Sequence, residues 1–289
     1  MGRVFSYEQI QEGKVPDPFV FTKVRKTFAL SVGHGVRNET LVGGMVFGSA
    51  AVGRANRRSD LDVLLELPDD DIESYESASR VVRALKKATD GKVPVNAIVR
   101  STESLLSGHH EMDRFFGAHL SGPHRTVVGE DPAKSLHLEF APAHTIIDDY
   151  IHSKMRKISQ GFVTDDETKK LEHMQRLLDL PLAIGRKVVR AVDEVEGTHR
   201  LTDDTANKSS VREAAMDLFE EHGISEVPSM LIDLNAVYDH VLDYALSGDI
   251  NHRTYDDFLR DVASRAPAVM EWLRMVDREI GDRLGATRN

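Results

Sequence analysis

Asp60 and Asp62 stand one residue apart at the start of an apolar run, Leu61-Asp62-Val63-Leu64-Leu65. On an extended strand, residues two apart project to the same side. The pair therefore turns two carboxylates one way while Leu61 turns the other. Two carboxylates on a rigid strand form a seat for Mg²⁺, a cation usually held by one or two carboxylates together with substrate phosphates. Upstream, the apolar run Met45-Val46-Phe47 ends in Gly48-Ser49. Gly48 lets backbone approach a phosphate closely, and Ser49 adds a hydroxyl and an N–H. A short basic spacer follows, with Arg54, Arg57 and Arg58, any of which can meet phosphate charge bidentately. Ser59, just before the first aspartate, either orders the turn into the strand or adds a phosphate contact. The chemistry these residue types support is the handling of a polyphosphate with a divalent cation.

Several elements must position them. The spacing predicts a helix over 18–32, with Phe19, Val20, Val24 and Phe28 on one face and Gly33-His34-Gly35 ending it. Residues 41–47 and 61–67 read as strands, the second apolar enough to be buried on both faces. Pro68-Asp69-Asp70-Asp71 reads as a turn, followed by a helix over 77–88 with Val81, Val82 and Leu85 inward and Asp90-Gly91 closing it. A third strand is expected over 93–99, then a helix with Phe115, Phe116 and Leu120, then a short strand over 126–128. Strands alternating with helices indicate a sheet layered by helices. From about Ala141 the pattern is helical. One apolar face runs through Met174, Leu177, Leu178 and Leu182, broken by Pro181. A second contains Leu231, Tyr238 and Leu242, and a third contains Leu259, Val262, Val269, Leu273 and Ile280. Residues 196–210 read as a loop. The second half is expected to be a helical bundle.

Composition narrows the class. The chain has 289 residues, 40% hydrophobic and 29% charged, in the range of a soluble globular protein. No apolar run approaches the ~20 residues needed to cross a bilayer. The first residues contain no apolar core of an export signal. There is no Cys, which excludes disulfides and thiolate metal sites and fits a cytoplasmic location. The net charge of −10 is uneven. Residues 1–145 hold 18 Lys and Arg against 19 Asp and Glu, whereas residues 146–289 hold 19 against 28. An acidic half repels nucleic acid and attracts cations.

Gly48-Ser49, the spacer and Ser59-Asp60-Leu61-Asp62 together resemble the signature of the DNA polymerase β-like nucleotidyltransferase superfamily, in which Gly-Ser precedes a spacer and Ser-Asp-x-Asp. The likeness spans Met45 to Leu67, and weaker similarity extends through 93–99 and 126–132 into the helical half. The resemblance implies an α+β fold. A nucleotidyltransferase-type mixed sheet flanked by helices would occupy residues 1–140, and a C-terminal helical bundle that binds the acceptor would occupy 141–289. It implies a small or kanamycin nucleotidyltransferase-like enzyme that moves a nucleoside monophosphate from a nucleoside triphosphate, ATP first, to an acceptor. Asp60 and Asp62 would hold Mg²⁺ and be catalytic. Gly48, Ser49, Arg54, Arg58, Ser59 and Lys187 would bind the nucleotide.

The chain departs from that pattern in two places. Ala50 and Val52 stand where relatives commonly carry Arg. On the third strand, where many relatives carry an acidic residue, the only polar side chain is Asn96, which cannot be a general base. Three explanations stay open. The base comes from elsewhere, with Glu139 or Asp148-Asp149 as candidates, the acceptor needs little base help, or the protein binds nucleotide without transferring it. His109-His110 reads as a surface pair, while His144 lies four residues from Asp148 and can touch it. Gly129-Glu130-Asp131-Pro132 resembles the end of the catalytic domain in small nucleotidyltransferases, and Leu180–Lys187 resembles a segment of their helical partners. The acceptor that suits an acidic half is a small cation such as an aminoglycoside. A toxin-like enzyme acting on RNA or protein is the rival, with nucleic acid only as a substrate and no membrane partner.

Overall fold

The computed structural model describes residues 2–107, 124–135, 143–201, 208–281 and 284. By its contacts the chain divides into two compact units: Lys14–Phe140, and Met1–Gly13 with Ala141–Asn289. The first thirteen residues thus group with the helical unit, whereas the sequence reading places them with the sheet. Their side chains explain it. Phe5 is buried between two tyrosines of that unit: its N–H donates to Tyr238 Oη at 2.8 Å, and its carbonyl accepts from Tyr255 Oη at 2.9 Å.

In chain order the elements are α1 (Tyr7–Gln11), α2 (Val20–Arg37), β1 (Gly43–Phe47), α3 (Gly48–Ala51), β2 (Leu61–Leu67), α4 (Ile72–Ala88), β3 (Val95–Ser101), α5 (Thr102–Ser107), β4 (Arg125–Gly129) and a 3₁₀ turn (Pro132–Ser135). Then come α6 (Ala143–Phe162), α7 (Glu167–Glu196), α8 (Lys208–Glu221), α9 (Glu226–Ser247), α10 (His252–Ser264) and α11 (Ala266–Val276), which runs into a π turn (Asp277–Gly281). The class is α+β: a mixed four-stranded sheet with helices, and a helical C-terminal region. No helix among the described residues is long and apolar enough to cross a membrane.

The sheet runs β3-β2-β1-β4, with β1 antiparallel to β2 and β4 and β2 parallel to β3. Period-two alternation separates its faces. Val46, Leu61, Val63, Leu65 and Leu67 turn toward α2 and α4, where they meet Val24, Phe28, Val32, Val81 and Leu85. Burying each such side chain is worth about 1.5–3 kcal/mol, so this face is the stabilising one. Met45, Phe47 and Leu64 turn the other way and form a smaller cluster with Leu105 of α5. Asp62, in step with Leu64, belongs to that thinner face.

Several boundaries differ from the periodicity. Helix α2 continues to Arg37 through Gly33 and Gly35, and Gly35 serves packing rather than termination. A Cβ at Gly35 would lie 2.5 Å from Leu41 Cδ1, closer than such atoms approach, whereas one at Gly33 would make an ordinary contact with Val128 at 3.6 Å. Helix α4 begins at Ile72, five residues early, where Asp71 caps it by accepting the Ser74 N–H at 2.7 Å. Pro181 does not break α7, which passes through it, and its ring is buried with Leu177, Leu178 and Ile184. That apolar face outweighs the ~3 kcal/mol an interior proline costs. β3 begins at Val95 rather than 93. The helix expected around Phe115, Phe116 and Leu120 lies outside the described residues.

Candidate active site on the thin face of the sheet

Asp62 is the second residue of β2, and Asp60 precedes it across one peptide-paired residue, Leu61, whose N–H donates to Pro94. In register, Asp62 lies between Phe47 of β1 and Asn96 of β3. The shared direction of the two carboxylates is visible in a common partner. Asn96 Nδ2 donates to Asp60 Oδ2 at 2.7 Å and to Asp62 Oδ1 at 3.1 Å. Both aspartates are half-buried, and Asn96 is exposed. The third-strand position thus holds a neutral donor that ties the two acids together.

The Gly48-Ser49 turn starts directly after Phe47, the cross-strand neighbour of Asp62. Gly48 has φ +69, a left-handed conformation that side-chain-bearing residues rarely adopt. That backbone bends the chain from β1 into the four-residue helix α3 beside the acids. The spacer then folds on itself. Arg54 N–H donates to the Ser49 carbonyl at 2.9 Å. Ser59 Oγ accepts the Asn56 N–H at 2.9 Å and donates to Asn56 Oδ1 at 3.1 Å. Ser59 therefore uses its hydroxyl to close the turn leading into Asp60. Of the spacer arginines, Arg54 is exposed and Arg57 half-buried, while Arg58 retains only 3% of its surface. Arg54 is the one freely presented to solvent.

Supporting contacts brace the ends of the strands. Ser101 Oγ, ending β3, donates to Asp70 at 2.6 Å, and Tyr75 Oη donates to the same carboxylate at 2.8 Å. These bonds hold Asp70 below the ordinary carboxylate range. After β4, burial pushes Asp131 up, but bonds from His124 and the Ala133 N–H outweigh it and hold the carboxyl low. This pair fixes the segment Gly129-Glu130-Asp131-Pro132 as a turn into the 3₁₀ segment. Neither brace nor the Asn96 bridge has a periodicity that would expose it in sequence; only Asn56, an Asx residue three before Ser59, carries a turn signal.

Lys187 belongs to the helical unit, with Nζ 4.1 Å from the centroid of the Tyr150 ring. Glu139, His109 and His110 lie outside the described residues, as do the side chains of His144, Asp148 and Asp149. Among the described residues, no group of three or more His, Cys, Asp or Glu side chains is placed to hold a metal ion. The hard oxygen donors of Asp60 and Asp62 still fit Mg²⁺, which completes its shell with water and phosphate oxygens. No protein-family model matches the chain, and the search of curated proteins finds no match either.

Proposed function

We propose that this chain is a Mg²⁺-dependent nucleotidyltransferase of the DNA polymerase β-like kind, moving a nucleoside monophosphate from a nucleoside triphosphate, ATP first, to an acceptor. The observation that carries the reading is the Asp60–Asp62 pair. Its two carboxylates converge on one amide and lie next in register to the strand end where the Gly48-Ser49 turn begins. In the reaction, a lone pair of the acceptor attacks the α-phosphorus in line. The bond to the bridging oxygen breaks, and its electrons leave with pyrophosphate. The acceptor proton passes to a base, for which Glu139 is the proposed residue. Asp60 and Asp62 would hold Mg²⁺, which when bound neutralises phosphate charge at the attacked centre. Gly48 and Ser49 would offer backbone N–H groups and a hydroxyl to the phosphates, and exposed Arg54 would meet their charge. The chain's share of catalysis is then mostly position and electrostatics.

For the acceptor we propose a small cation such as an aminoglycoside, on the strength of the acidic excess in residues 146–289. Mg²⁺-dependent pyrophosphate release tests the whole reading. Asp60→Ala and Asp62→Ala should each lower it at least about a hundredfold, or about 3 kcal/mol of transition-state stabilisation. Full activity in both variants would overturn it. Asn96 favours a second reading, a nucleotide-binding module without transfer, because a neutral amide stands where relatives place an acid. That reading predicts saturable Mg²⁺·ATP binding with no pyrophosphate release for any acceptor.

A further inference from the structure

We propose that the outer surface of α2 and α4 binds a single strand of nucleic acid, through its phosphates and one stacked base. Helix α2 carries Lys23, Arg25, Lys26 and Arg37 and no acid. From Ser77 onward α4 carries Arg80, Arg83, Lys86 and Lys87 and no acid, its two glutamates lying in the first turns. All of these cations but the half-buried Arg25 are exposed, and none of the exposed ones pairs with a carboxylate among the described residues. The helices lie side by side on one face of the sheet, where Thr40 Oγ1, past the end of α2, donates to Ser77 Oγ at 2.9 Å. The basic surface is therefore continuous, and the sheet separates it from Asp62. It lies in the sheet unit, whereas the acidic excess of the chain lies in residues 146–289.

The pattern is more than a solvated helix surface. Arg37, Lys86 and Lys87 stand in last turns, where a cation suits the helix dipole, but Lys23 stands in the first turn of α2, where it opposes the dipole and no acid offsets it. Lys23, Lys26, His34 and Arg37 recur at helical spacing on one exposed line, about 21 Å long at 1.5 Å per residue. Phe19 continues that line at its start and is 83% exposed. An aromatic ring beside a track of Lys and Arg is the arrangement that stacks a base while cations follow the backbone. A protein partner fits less well, because interface cores are depleted in Lys. A lipid surface fits less well too, because the apolar face that α2 would insert, with Phe21, Val24 and Phe28, is buried against the sheet. The inference does not rest on the transferase reading.

The test is fluorescence anisotropy of labelled oligouridylate and oligothymidylate, about 20 nucleotides long, titrated with the full-length chain in EDTA. Binding should be saturable at about 50 mM salt, and its logarithm should fall linearly with that of salt, by about 0.7 per phosphate neutralised. Lys23→Gln with Lys26→Gln, and Arg80→Gln with Arg83→Gln, should each flatten that slope by about 1.4 and weaken binding about tenfold or more. Phe19→Ala should weaken it about fivefold or more without changing the slope. Lys23→Arg with Lys26→Arg, Asp60→Ala and the exposed control Lys169→Gln should bind like wild type, and melting curves check each fold. Tighter binding of the ribo-oligomer identifies RNA, read through its 2′-hydroxyls, and equal binding identifies a strand read through its phosphates alone; both uphold the surface. It is overturned if neither oligomer binds saturably, if the Gln variants keep the wild-type affinity and slope, or if anionic vesicles or a second copy of the chain occupy this face while the oligomers do not.

Discussion

The amide bridge at Asn96 makes a prediction whose size can be worked from its geometry. In Asn96→Asp the two bonds to Asp60 and Asp62, at 2.7 and 3.1 Å, are lost and a third carboxylate replaces the donor. Asn96 is exposed, so each lost bond is worth only about 0.5–1 kcal/mol, the low end for such contacts. Two unit charges 4 Å apart repel by about 1 kcal/mol in bulk water and about 4 kcal/mol near a protein surface. With two acids facing the new one and solvent screening the group, the added repulsion should total about 2 kcal/mol. Asn96→Asp should therefore lose about 3–4 kcal/mol in EDTA at neutral pH, and Asn96→Ala only about 1–2 kcal/mol. Mg²⁺ reverses the ranking, since three carboxylates outbid two for a hard dication. At a concentration of 100 times the dissociation constant, a cation that binds only the folded state restores about 2.7 kcal/mol. Urea unfolding of the three proteins, in EDTA and in graded Mg²⁺, provides the assay. The reasoning is refuted if Asn96→Asp is no less stable than Asn96→Ala in EDTA, or if Mg²⁺ stabilises it no more than wild type.

Other consequences follow from the same contacts. Gly48→Val should destabilise by roughly 1–3 kcal/mol, because φ +69 strains a β-branched residue, and should lower nucleotide affinity with it, measurable by melting and ATP titration. Gly161→Ala should cost about 1–3 kcal/mol by overpacking, since its Cβ would fall 2.3 Å from the buried His173 ring, and His173→Ala in the same chain should recover much of that loss in a double-mutant unfolding cycle. Burial, then Arg176, holds His173 below the usual histidine range. The unfolded chain then binds a proton the native one refuses, so stability present at pH 7 should fall as pH drops through about 6.5; His173→Leu should blunt that acid loss in urea midpoints taken at pH 7 and pH 5. Raising salt should raise the acceptor KM if the acceptor is cationic, because exposed charges are screened within about 10 Å at 0.1 M; a salt-independent KM for a neutral acceptor would reject that substrate class.

What the sequence could carry was local. Period two alone places Asp60 and Asp62 on one side, and the span of β2, 61–67, follows from an apolar run bounded by polar turns. Signals with two physical meanings misled. Gly33 and Gly35 look like helix stops because glycine favours ends, yet α2 runs through both, and Gly35 admits Leu41 against it. Pro181 looks like a break, but its position within a buried face keeps α7 whole. Contacts between distant residues left no trace in spacing. Nothing near Phe5 announces that Tyr238 and Tyr255 will hold its backbone, so the first thirteen residues could not be assigned to the helical unit. The same limit applies to chemistry. Asn96 could be read as a missing acid from its strand, but its bridging of both aspartates depends on the parallel pairing of β2 with β3, in which Asp62 meets Asn96. Parallel pairing is set by packing on α2 and α4 rather than by a turn, and a long crossover separates the paired residues. The residues that do chemistry here are legible as types, and their partners become legible only once the sheet is closed.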